Sequence, residues 1–175
     1  QYRDTNRYVN EQLLRFRVDS GVPIEKVTLS GKKEISLIRH GRTYEANIDA
    51  NGSYTIVAKD IANHKTEQVV EIENIDREAP RYEGYREQDG MIYLHFQDTG
   101  ANIDWDALRC LRENGSEENV QIDREQGIIA VPKAQFPLHV QIKDRAGNQA
   151  VYAFQQNTFT EDAPEVTEEL TGEAY

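Results

Sequence analysis

The chain has 175 residues, a net charge of −11 and 38 % hydrophobic residues, and its mean hydropathy is −0.76. This length allows one mid-sized domain or two small ones, and so polar a composition does not suit a large enzyme core. The acidity disfavours nucleic acid and anionic membrane surfaces as partners, because phosphate binding requires concentrated Lys and Arg. A single cysteine, Cys110, excludes an intrachain disulfide, and we expect it to be a small buried side chain.

The first half of the sequence predicts a small β domain over residues 12–78, preceded by a polar lead-in at residues 1–11. Residues 13–19 alternate between apolar and polar side chains, which predicts a strand with one buried face. Asn51-Gly52 predicts a hairpin because both residues tolerate positive φ. Pro80 then forces its predecessor into an extended conformation, so we expect a short and stiff connection to the next domain.

The second half predicts another β domain over residues 79–157. About seven short strands per domain, with turns every eight to twelve residues, is the pattern of a β-sandwich. Only residues 103–112 compete as a short helix or helical turn. Residues 158–175 contain six acidic residues and no Lys or Arg, which predicts an acidic, disordered tail.

A repeated signal relates the two halves. Residues 53–64 form an alternating strand that runs into a turn at Asp60, and residues 137–148 do the same at Asp144, 84 positions later. A repeated strand-turn-strand unit of this period predicts two copies of one small β domain. Such domains more often bind or position other molecules than carry out chemistry.

Three segments resemble the bacterial immunoglobulin-like repeats of exported surface proteins. Residues 51–60 have the N-G-x-Y strand, residues 74–80 have the I-D-x-x-A-P junction, and residues 143–148 have the D-x-A-G-N turn of that family. The first copy of the turn has Asn63-His64 in place of Gly-Asn. Because Asn tolerates the left-handed conformation, we expect the turn to survive this change.

The resemblance implies two tandem immunoglobulin-like β-sandwiches in an exported bacterial protein, extracellular or on the cell surface. It implies a non-catalytic structural or adhesive role, as a spacer or a binding pair, and no cofactor. We expect a monomer whose partner is an unidentified protein or glycan, with no nucleic acid partner and no membrane insertion. Because the chain begins at Gln1 rather than Met, we expect any leader or anchor to lie in segments beyond it. The alternative is an accessory carbohydrate-binding module of a larger secreted hydrolase.

The turn residues Asp60, Asp144 and Asn148 are predicted to be structural, because Asp can cap its own turn by accepting backbone N–H groups. Calcium ligation by the same carboxylates is the alternative interpretation. Another acidic group, Asp98, Asp104 and Asp106, offers weaker calcium candidates, with solvated loop acids as the alternative. An ion near Asp76 is a further hypothesis.

Aromatic residues supply the candidate binding residues. Trp105 is the only tryptophan and lies between two acidic residues, so it could stack on a sugar ring or fold over the end of a sandwich. Tyr82 and Tyr85 lie near the start of the second domain, where tyrosines pack a junction or form an exposed binding patch. The four histidines are scattered singly, and no catalytic constellation is predicted.

Overall fold

The computed structural model of the chain describes residues 7–159 and 169–170. Within these residues the chain is all-β, with fifteen strands, three short 3-10 helices and no α-helix, which confirms the predicted fold class at that level. The chain divides into two compact units, Gln1–Asp76 and Arg77–Tyr175. This boundary falls two residues before the one predicted from the sequence.

The first unit contains two antiparallel sheets. One has the strand order β1-β5-β4 and consists of β1 (Gln12–Arg17), β5 (Thr43–Ile48) and β4 (Ile38–His40). The other has the order β3-β2-β6-β7 and consists of β3 (Glu34–Ile35), β2 (Ile24–Ser30), β6 (Gly52–Asp60) and β7 (Lys65–Ile72).

The core of the first unit lies between these two sheets. Alternation places Leu14 and Ala46 opposite each other on one sheet, and both are buried. Leu29, Ile56 and Ile72 cover them from the other sheet. The two inner faces therefore form a sandwich-like core, because successive residues of each strand point to opposite faces.

One glycine is required by a close approach in this core. A Cβ on Gly31 would lie 2.8 Å from the ring of Tyr54. The Tyr54 hydroxyl donates a hydrogen bond to the carbonyl oxygen of Ala50 at 2.6 Å, which holds the ring in place. A larger residue at position 31 would displace the ring, because real Cβ contacts are not this short.

The second unit also contains two antiparallel sheets. One has the order β11-β12-β9-β8 and consists of β11 (Gln121–Asp123), β12 (Ile128–Pro132), β9 (Met91–Gln97) and β8 (Arg81–Gln88). The other has the order β10-β13-β14-β15 and consists of β10 (Arg109–Leu111), β13 (Leu138–Lys143), β14 (Gln149–Phe154) and β15 (Glu169–Leu170).

The core of the second unit is larger and rich in aromatic rings. Leu94 and Phe96 on β9 face Val140 on β13 and Phe154 on β14, and all four are buried. The region predicted as a possible helix forms a single 3-10 turn at Trp105–Ala107, and β10 begins after one further residue, Leu108.

The ends of the predicted domains differ from the structure in part. Thr158 and Phe159, which were predicted to begin the disordered tail, are buried in a 3-10 helix at Gln156–Phe159. The ring of Phe159 lies 4.5 Å from the ring of Phe136, so apolar packing extends the second unit beyond its predicted end. Strand β15, also in the predicted tail, pairs with β14. The other residues of the predicted tail lie outside the described residues, as do residues 1–6 of the lead-in.

Candidate functional site

The turn between β13 and β14 is built around the carboxylate of Asp144. Its Oδ1 accepts the backbone N–H of Asn148 at 2.8 Å, and its Oδ2 accepts the Asn148 side-chain amide at 2.7 Å. The backbone N–H of Asp144 donates in turn to the Asn148 carbonyl at 3.0 Å. Gly147 provides the positive φ, 99°, that the turn requires. Both oxygens of the carboxylate therefore accept hydrogen bonds within its own turn, which favours the structural interpretation of this residue.

The turn between β6 and β7 has the same plan with different residues. The Oδ1 of Asp60 accepts the backbone N–H groups of Ala62 at 2.9 Å and His64 at 3.0 Å. The Nδ1 of His64 lies 3.0 Å from Oδ2, in the role that the amide of Asn148 has in the second unit. Asn63 takes the positive φ, 67°. The substitution of Gly-Asn by Asn63-His64 thus preserves the geometry.

Hydrogen bonding lowers the pKa of the Asp60 carboxyl group. Burial alone would raise the pKa of this carboxyl group. The hydrogen bonds from the His64 backbone and ring and from the Ala62 backbone outweigh burial, so the pKa of Asp60 lies below its usual value. The carboxylate is ionised at neutral pH, which is the form that accepts these bonds.

A second carboxylate lies beside Asp144 in the second unit. One oxygen of Asp98 and one of Asp144 are within 4.8 Å of each other. The Oδ1 of Asp98 accepts the backbone N–H groups of Gly100 at 3.1 Å and Asn102 at 2.9 Å. This loop is attached to the Asp144 turn, because the Arg145 N–H donates to the Asn102 carbonyl at 2.9 Å.

Two carboxylates at this distance are chemically suited to a hard cation, since oxygen ligands are what calcium prefers. The other two calcium candidates are placed differently. Asp104 caps the 3-10 turn by accepting the Asp106 N–H at 3.2 Å, and Asp106 pairs with Arg124 at 2.7 Å. Among the described residues, Asp98, Asp104 and Asp106 do not come together as one ligand group. Asp76 is a buried residue at the end of the first unit.

Calcium binding stays a prediction, and the structure sharpens its test. Calcium that binds the folded second unit must raise its unfolding midpoint, and Asp98→Asn must abolish that rise. Asp106→Asn removes an equal charge from a carboxylate outside the pair and is the matched control.

The aromatic candidates are packed against the core of the second unit. The ring of Tyr82 lies 5.0 Å from Phe154 and 5.6 Å from Phe96. The ring of Tyr85 lies 4.9 Å from Phe159 in an edge-to-face arrangement. Trp105 begins the 3-10 turn and is half-buried against the same core. These contacts favour the packing alternative for all three residues, and their binding role stays a prediction.

The sequence did not indicate an open cleft between the two sheets of the first unit. This cleft has a volume of about 240 Å³. Its apolar lining is Phe16, Val18, Ile24, Ile56 and Ala58, and its polar lining is Arg17, Asp19, Ser20, Asp60, His64, Thr66 and Gln68. At its mouth, Asp19 pairs with Arg17 at 2.9 Å and with Arg42 at 3.2 Å. The sequence feature that could have indicated this cleft is the pair Thr66 and Gln68. These polar residues occupy positions of β7 that face the core, where the alternating pattern requires apolar side chains.

Cys110 is buried in the core of the second unit. Burial, with a smaller contribution from Glu117, raises the pKa of the thiol to about 12. The thiol therefore stays protonated at neutral pH, which makes it a poor nucleophile. This is the small buried side chain expected from the sequence.

The sequence matches no protein-family model, and no curated protein matches it significantly. In the part of the chain that the structure describes, no helix has the length and apolar character needed to cross a membrane.

Proposed function

We propose that the chain is a pair of immunoglobulin-like β-sandwich modules from an exported bacterial surface protein, with a structural or adhesive role and no catalytic one. The observation that carries the proposal is that each unit encloses its own core between two antiparallel sheets. Modules with separate cores can be joined in series as spacers, because each keeps its shape without relying on a shared interior.

The aspartate turns support this role mechanically. Each turn joins two neighbouring strands, β6 to β7 and β13 to β14, and each carboxylate bonds the residue four positions later. Separating such a hairpin requires loss of these charge-assisted bonds together with the ladder. In the second unit, the Tyr152 hydroxyl also donates to the Pro80 carbonyl at 2.7 Å, which fastens the segment before β8 to β14.

The carbohydrate-binding alternative requires exposed aromatic rings that lie coplanar on one face. Among the described residues, Tyr8 is the only aromatic side chain in the exposed class, at 39 %. The structure therefore gives this alternative no specific support, and Trp105→Ala tests it directly. Glycan-array binding that this substitution abolishes would favour the alternative.

Single-molecule force spectroscopy of the chain held between reference domains tests the proposal. A spacer of two separate modules gives two unfolding events, with contour-length increments of roughly 25 and 30 nm from about 3.6 Å per residue. One event that releases the full length would contradict the proposal. Hydrolytic activity of the purified chain would contradict its non-catalytic part.

A further inference from the structure

The outer edge of β7 in the first unit is unusually open. β7 (Lys65–Ile72) ends its sheet and pairs only with β6, without any register shift from Gly52↔Ile72 to Lys59↔Lys65. Its first five residues are all exposed, and Val69 is 59 % exposed. A straight edge of this length presents a row of backbone donors and acceptors to a further strand.

The other outer strands of the described sheets are either bulged or shorter than β7. β8 has the same length, but its pairing shifts between Tyr82 and Gly84, where Gly84 takes a φ of 132°. Such a bulge bends an edge and interrupts pairing. β1 has six residues, and the remaining outer strands have two or three. β7 is therefore the one long edge without a bulge in the described part of the chain.

The charges along β7 are arranged to complement a second copy of the same strand. Val70 and Ile72 face the core, so Lys65, Glu67, Val69 and Glu71 face outward. In an antiparallel pair, residues directly opposite each other point to the same face of the sheet. When the two strands are copies related by a two-fold axis, this requires the axis to pass beside a residue, which then lies opposite its own copy. If the two-fold axis lies at Gln68, Lys65 of each copy lies opposite Glu71 of the other. Val69 of each copy then lies opposite the methylene groups of Glu67 of the other.

The neighbouring registers are worse. Centring on Val69 opposes Glu67 with Glu71, and centring on Glu67 opposes two copies of Glu67. Like charges directly opposite destabilise a strand pair, and opposite charges stabilise it. The charge pattern thus selects the register centred on Gln68, which pairs seven residues of each strand.

We propose that the first unit associates with a second copy of itself through β7, in an antiparallel pair centred on Gln68. The pairing joins two four-stranded sheets into one continuous sheet. It replaces the monomer expected from the sequence, and it does not depend on the proposed function. The contact is small and each chain carries a net charge of −11, so the association is weak and depends on concentration.

Sedimentation equilibrium of the whole chain, at concentrations up to about 1 mM so that weak association is measured, tests the proposal. Glu71→Lys places a lysine opposite Lys65 at both symmetry-related positions of the pair. We expect the association constant to fall about tenfold or more. Glu73→Lys makes the same change in net charge at an exposed residue just beyond β7, and we expect it to leave the constant unreduced. Lys65→Glu combined with Glu71→Lys restores the complementarity and the association. A wild-type monomer at every concentration, or equal effects of the two single variants, would overturn the proposal.

Disulfide cross-linking tests the register. The central residue lies opposite its own copy, with Cα atoms about 4.5–5.5 Å apart, which a disulfide can span. Gln68→Cys should form a covalent dimer under mild oxidation. Asn47→Cys, at an exposed position of β5 on the other sheet of the same unit, is the control, and the native Cys110 is buried. Cross-linking of Gln68→Cys no faster than that of Asn47→Cys would overturn the proposed register.

Discussion

The two units share a turn but differ in how much apolar surface they enclose. Among the residues that the structure describes, eight buried residues form the core cluster of the first unit and fifteen form that of the second. The first unit also has the open cleft beneath β7. Because burial of apolar surface is the main stabilising term in small domains, the first unit should be the less stable of the two.

The turns differ in the same direction. Asp144 is 1 % exposed, and the Asn148 amide that caps it donates a second bond to the Glu78 carbonyl at 3.3 Å. The cap of Asp60 is the side chain of His64, which is 80 % exposed. The same turn geometry is therefore capped by a buried side chain in the second unit and by an exposed one in the first. We expect the contribution of each cap to stability to increase with its burial.

The largest effects should come from the core of the second unit. Phe96→Ala removes a fully buried ring with three aromatic neighbours, Tyr82, Tyr152 and Phe154. We expect it to lower the unfolding free energy of the second unit by about 3–5 kcal/mol. Trp105 is the only tryptophan and lies in this unit, so denaturant unfolding followed by tryptophan fluorescence measures the loss. A loss below about 1 kcal/mol would show that this ring is not a core element.

Smaller losses of stability are expected from removing the side chains that cap the two aspartate turns, Asn148 and His64. Asn148→Ala removes two side-chain hydrogen bonds, one of them to a buried carboxylate, and should cost the second unit about 1–3 kcal/mol. His64→Ala removes one bond from an exposed ring and should cost the first unit about 0.5 kcal/mol. Hydrogen exchange of β6 and β14 reports each unit separately. Equal costs would contradict the link between burial and cap strength.

How much the sequence predicted depends on the range of the interactions. Local sequence patterns predicted the strands and the two aspartate turns, because apolar alternation and turn-forming residues depend on only a few neighbouring positions. Alternation did not indicate that Phe159 would pack on Phe136, since that contact joins distant segments. Nor could it place Asp98 beside Asp144, because the residues are 46 positions apart and meet only through the attachment of their loops. Tyr82 and Tyr85 likewise needed distant partners, Phe154 on the facing strand β14 and Phe159 in the last 3-10 helix, before packing could be distinguished from exposure.

Acid should affect the first unit through Asp60. The folded pKa of this carboxyl is below its unfolded value, so its contribution to stability is present above the unfolded pKa of about 3.9 and is lost as the pH falls through the folded pKa. Asp60→Asn should therefore flatten the decline in stability of the first unit on acidification below about pH 4. Asp49→Asn, at an exposed residue of the same unit, is the control. Circular dichroism of thermal unfolding between neutral and acid pH measures both, and identical declines would refute the role assigned to Asp60.

The smallest effect is expected at Cys110. With a thiol pKa raised to about 12 and a buried side chain, the folded chain should react with a thiol reagent at pH 8 only as fast as the second unit opens. Reaction should accelerate in Phe96→Ala and stay unchanged in Leu14→Ala, which weakens only the first core. Fast labelling of the native chain would contradict the burial of this residue.

Separate cores in the two units are the premise on which the whole account depends. The most direct measurement is equilibrium unfolding of the whole chain in urea, followed both by Trp105 fluorescence and by hydrogen exchange of β6. We predict two transitions at different urea concentrations, with the first unit unfolding at the lower one and with Leu14→Ala shifting only that transition. A single coincident transition that Leu14→Ala shifts as a whole would contradict it.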